Sequence, residues 1–173
     1  MADLPYESIP PAPERMSGAA ILTRLMDGIG FRYRWATEGL EDGDLAFRPA
    51  PDCRSLGELL AHVHGLLRRV GLGIGVEPSL GCMGTIEGFA VRRATVELAR
   101  VLRERLASMG DSELAASTMR TGRGETYPVW NMVNGPLSDA LTHIGQIASW
   151  RRIMGKPVPV ADVFRGLPPQ NRS

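Results

Sequence analysis

The sequence predicts an all-α protein built as a four-helix bundle, and three observations carry that prediction. Four long segments repeat apolar residues at helical spacing, helix start and stop signals punctuate them, and no convincing strand pattern lies between them. With 173 residues and no internal repeat, the chain is long enough for one domain over 1–173 to build a core without staples.

Residues 1–15 hold Pro5, Pro10, Pro11 and Pro13, which deny this stretch a helix and make it an extended lead-in. The first helix is expected from about Ser17 to Leu40, where Leu22, Leu25, Met26, Ile29, Tyr33, Ala36 and Leu40 recur on one face. Gly28 and Gly30 weaken its middle by about 1 kcal/mol each relative to Ala. After the polar connection EDGDLAFRPAPDCR, the second helix has the clearest start in the chain. Ser55-Leu56-Gly57-Glu58 is a capping box, and Leu56, Leu59, Leu60, Val63, Leu66, Leu67 and Val70 form the core stripe behind it. His62 and His64 lie on opposite flanks of that stripe.

From Gly71 to Gly88 the chain is rich in glycine. Gly71, Gly73 and Gly75 imitate a dinucleotide loop, but they close a helix instead of following a strand, so that reading fails. The third helix is expected from about Thr85 to Met109, with Val91, Leu98, Leu102, Leu106 and Met109 inward. Residues 111–128 are polar, with a turn around Gly122 to Gly124 between two very short extended pieces. The last helix is expected at roughly 136–154: Asn134 or Gly135 caps it, Pro136 suits its first turn, and Gly155 with Pro157 stops it. Residues 156–173 form an extended, proline-punctuated tail.

Charge and composition exclude several function classes. A net charge of +1 gives no reason to expect nucleic acid, and Arg92, Arg93, Arg100, Arg103 and Arg105 interleave with Glu97 and Glu104 as a solvated helix face does. Cys53 and Cys82 fit no metal spacing and are expected as reduced thiols. MADLPYESIPPAPER has neither the basic start nor the apolar run of a signal peptide, and no stretch has the apolar length of a membrane span. A cytoplasmic protein with no membrane partner is expected.

The chemistry concentrates on the last helix. Asp139, His143, Gln146 and Trp150 follow i, i+4, i+7, i+11 spacing and line one stripe, so an acid and an imidazole one turn apart can give two ligands to one metal ion. The plainer alternative is a solvated helix pair worth a few tenths of a kcal/mol. Packing against the second helix can add His62 or His64, giving two imidazoles and one carboxylate with a position open for water or substrate. Gln146 is placed to orient a ligand. Tyr127, Trp130, Asn131 and Asn134 precede the helix and are placed to line the mouth of a site there. No nucleophile-elbow context supports a hydrolase triad.

SLGELLAHVHGLL and PLSDALTHIGQIASWRRIMGKPVP resemble the two signature regions of the DinB/YfiT-like superfamily, most specifically in HIGQIASWRRIMGKP. The resemblance runs from the first helix through Pro157. It implies a four-helix bundle, often a homodimer, and a divalent metal held by His62, Asp139 and His143, with His64 left to a solvent-facing role or a role behind the ligands. The sequence departs from the commonest family pattern in having Asp139 where a second His is usual; a subset with NGPxxDAxxHxGQ is closer. An aspartate can still bind Zn, Ni, Mn or Fe and shifts preference toward harder metals. The activity implied is that of a metal-dependent enzyme acting on a small-molecule substrate, either a transferase using a low-molecular-weight thiol or a hydrolase. The alternative is a dimeric binding or stress-response protein that has kept the bundle without metal.

Overall fold

The computed structural model describes residues 4–76, 88, 90–120 and 123–170. In chain order these form α1 (Gly18–Ala36), a 3-10 turn (Asp42–Ala46), α2 (Leu56–Gly73), α3 (Ala90–Ser108), α4 (Asp111–Ala116), the strands β1 (Thr118–Arg120) and β2 (Thr126–Pro128), the single turn α5 (Trp130–Met132), a wide π turn (Val133–Leu137) and α6 (Ser138–Ile153). The protein is mostly helical, as expected. The long helices pack α1 on α3, α3 on α2, α2 on α6 and α6 on α1, so each has two of the others as neighbours.

The apolar stripes meet between these helices. Met26, Ile29, Leu60, Val63, Leu67, Val96, Leu102, Leu106, Met132 and Ile147 are wholly buried in one cluster. Burial on this scale contributes about 25 cal/mol for each Å² of apolar surface removed from water, the term that holds the helices together. The capping box forms as its sequence requires: Ser55 Oγ accepts from the Glu58 amide at 3.2 Å, and Glu58 Oε2 accepts from the Ser55 amide at 2.6 Å.

Three features differ from expectation. α1 ends at Ala36 instead of Leu40, because Thr37 turns its hydroxyl back onto the Tyr33 carbonyl at 2.7 Å and Gly39 takes a left-handed φ of 71°. Asp111–Ala116, expected to be irregular, is a short helix whose Leu114 is buried. Neither Asn134 nor Gly135 caps the last helix. The helical path instead begins at Trp130 and passes through the π turn, where Pro136 supplies no N–H and disfavours helical geometry at Gly135 (φ −90°, ψ −110°). The hydroxyl of Ser138 donates to the Val133 carbonyl at 2.7 Å inside this wide turn. The short extended pieces do form, as the antiparallel pair β1–β2 with Met119 opposite Tyr127. The expected start of the third helix at Thr85, most of the glycine-rich connection, Cys82 and Gly122 lie outside the described residues; Cys53 is a free thiol.

Two arginines tie the C-terminal end of α1 to its neighbours. Arg92 of α3 donates to Thr37 Oγ1 at 3.1 Å and pairs with Glu38. Arg151 of α6 is buried and donates to the carbonyls of Ala36 at 3.0 Å, Glu38 at 2.6 Å and Lys156 at 2.8 Å. The lead-in and the tail are also held. Tyr6 lies so close to α1 that a Cβ on Gly30 would come within 2.4 Å of its ring, and its hydroxyl donates to the Ala99 carbonyl at 3.1 Å. Ile9 donates its amide to the Gly166 carbonyl at 2.9 Å, joining the two ends of the chain. No described helix is long and apolar enough to cross a membrane.

Candidate metal centre

Where α2 meets α6, the structure brings together His62, Asp139 and His143. The capping box sets the rotation of α2, the Leu59, Leu60, Val63 and Leu67 stripe faces the core, and His62 falls on the flank next to α6. On α6, Ala140, Ile144 and Ile147 face inward and carry Asp139 and His143 to the edge of the same seam.

His62 Nε2 lies 3.5 Å from Asp139 Oδ2, and His143 Nε2 lies 3.3 Å from Asp139 Oδ1. The two imidazole rings stand edge to face with centroids 4.6 Å apart. One donor atom from each of the three residues falls within 4.8 Å of the others, a group able to hold a metal ion. The histidine-to-carboxylate separations are those of neighbouring corners in a coordination shell with bonds of about 2.0–2.2 Å.

Gln146 gives the strongest indication of what the group needs. Its Oε1 lies 2.7 Å from His143 Nδ1, the contact made by an Nδ1–H donor and an amide acceptor. In that tautomer of the neutral ring, Nε2 is a lone pair facing the carboxylate oxygen at 3.3 Å. Two acceptors in that position repel unless a cation sits between them or a proton joins one. The same contact holds the ring orientation, as the outer partners of metal-binding histidines do. Burial first, then the positive charge of Arg54, push the His62 pKa below the usual imidazole value, outweighing Asp139. A neutral imidazole is the form that binds metal.

The other expected residues divide. Asn134 lines a cavity of about 460 Å³ that opens beside Asp139. His64 does not face solvent and does not sit behind the ligands: it is buried against α3, and since Thr95 Oγ1 donates to the Val91 carbonyl at 2.7 Å, His64 Nδ1 donates to Thr95 at 3.1 Å. Its position two residues from His62 turns it to the other side of α2. Trp130 is exposed and lines a separate apolar cavity with Ile21, Leu22 and Leu114, away from the Asp139 cavity. Tyr127 donates to Glu125 Oε2 at 3.1 Å in the hairpin, Asn131 is half-buried in α5, and Trp150 packs against the core. Sequence reasoning missed Arg69 and Arg120, which line the cavity with Asp139. A signal for Arg69 was present, because His62, Leu66 and Arg69 follow i, i+4, i+7 spacing and share a face.

No protein-family model matches the chain, and no curated protein matches it.

Proposed function

We propose that the protein is a DinB-like four-helix metalloprotein in which His62, Asp139 and His143 hold one divalent metal, and that it acts as a low-molecular-weight-thiol-dependent transferase or a hydrolase. The observation that carries this reading is the convergence of donor atoms from His62, Asp139 and His143 within 4.8 Å of one another, with Gln146 Oε1 2.7 Å from His143 Nδ1. Three protein donors leave coordination positions open, the arrangement of catalytic rather than structural sites. When bound, Zn, Ni, Mn or Fe supplies Lewis acidity that lowers the pKa of a water or a thiol. His62 and His143 bind as neutral donors, Asp139 supplies the negative charge, and Gln146 keeps His143 from turning away.

The test is metal content by inductively coupled plasma mass spectrometry on tag-free protein. Wild type should carry close to one metal per chain, or take it up from Zn, Ni or Mn. His62→Ala and His143→Ala should lose it while circular dichroism shows their helices retained. Unchanged metal content in folded His143→Ala would overturn the reading.

A further inference from the structure

The cavity beside Asp139 has a second chemical character. Leu66 and Arg69 of α2, Met119 and Arg120 of β1, and Asn134, Gly135, Pro136, Ser138, Asp139 and Thr142 enclose about 460 Å³, within the range of small-molecule pockets. Asp139 is the only acid among them, and its charge is directed at the two histidines. Arg69 and Arg120 are exposed and line this cavity, and neither guanidinium has a hydrogen bond or ion pair among the described residues. Elsewhere several arginines on α1 and α3 are engaged with carboxylates: Arg34 and Arg92 with Glu38, Arg100 with Glu97 and Glu104, Arg103 with Asp27 and Arg105 with Glu113. Arg54 adds positive potential at His62 from the neighbouring loop.

Resting on the metal reading, we infer that Arg69 and Arg120 hold an anionic group of the substrate, a carboxylate, while its reacting end meets the triad. Guanidinium groups recognise carboxylates through paired N–H donors, and unpaired arginines on the wall of a cavity leave those donors free. The arrangement selects small molecules with a carboxylate at one end and a metal-seeking group at the other. It rejects neutral analogues of the same length.

The probes are hydroxamates, which anchor on a metal and carry either a carboxylate or a methyl tail. Calorimetric titration of metal-loaded protein would compare succinic monohydroxamic acid with butyrohydroxamic acid, and glutaric monohydroxamic acid with valerohydroxamic acid. In wild type the carboxylate tail should improve affinity about tenfold for one of the two lengths, with the preference shrinking as salt rises. Arg69→Gln with Arg120→Gln should abolish the preference, leaving metal content and the binding of the methyl-tailed probes unchanged. Equal affinity for both tails in wild type overturns the inference and leaves the metal reading standing. Should the protein hold no metal, the triad reading falls, and glutarate against 1,5-pentanediol on the same protein decides the arginine pair. Saturable glutarate binding lost in the double variant supports the pair, and no binding overturns it.

Discussion

At the scale of single residues, the Gln146 contact is where the proposed metal site and an ordinary helix pair differ in what they predict. In a solvated Asp–His pair the imidazole donates to the carboxylate, and Gln146 would be free to point to water. Here the amide oxygen lies 2.7 Å from Nδ1, the contact made by the tautomer whose Nε2 is free to bind a metal. Gln146→Leu should weaken metal affinity by about 10- to 100-fold without unfolding the protein, measured by competition with a chelator of known affinity. Unchanged affinity would mean that Gln146 does not orient the ring. The His143, Asp139 and Gln146 stripe was legible in the sequence because one helix fixes its geometry. The roles of His62 and His64 were not, since both flank the α2 stripe and the choice depends on which side meets α6. The structure settles it by placing His64 against Thr95 on α3.

At the scale of elements, the ends of the helices carry as much information as their faces. The Ser55–Glu58 capping box was readable because its two hydrogen bonds are local. The π turn before α6 was not readable: Pro136 signals a first-turn position or a kink equally well, and packing of Met132 and Leu137 in the core decides between them. Arg151 is a similar case. In the sequence it is half of a basic pair, whereas in the fold it is buried and serves three carbonyls at the joint of α1 and α6. Arg151→Met should cost about 2–4 kcal/mol in urea unfolding, because it leaves buried acceptors without donors. Arg151→Lys should recover only part of that, since an ammonium group cannot reproduce the guanidinium fork. A cost within error of zero would show that water replaces the arginine freely.

For the whole molecule, four apolar stripes were enough to predict a helical protein, because a helix with one apolar face has to bury it against another. The order in which the helices neighbour one another was not legible, as it depends on long-range packing. Contacts between segments far apart in the chain were equally hidden. Lys156, just past α6, pairs with Asp44 in the 3-10 turn at 2.8 Å. The Lys156 hydrogen bond, then the Glu41 backbone amide, hold the Asp44 carboxyl below its usual range. A depressed folded pKa stabilises the fold fully above the unfolded value of about 3.9, and the contribution is lost as pH falls through the folded value. Wild type should therefore exceed Asp44→Asn in melting temperature at pH 7 and converge with it by about pH 2; a constant difference across that window would rule the pair out as the cause. The central claim is that folding brings donors from α2 and α6 around one cation. The measurement that tests it most directly is an anomalous difference map from a crystal of the metal-loaded protein, collected at the metal's absorption edge. The account predicts one peak about 2.0–2.2 Å from His62 Nε2, His143 Nε2 and an Asp139 oxygen, with Gln146 still accepting from His143 Nδ1. No peak between those side chains, with His143 Nε2–H donating to Asp139, would contradict it.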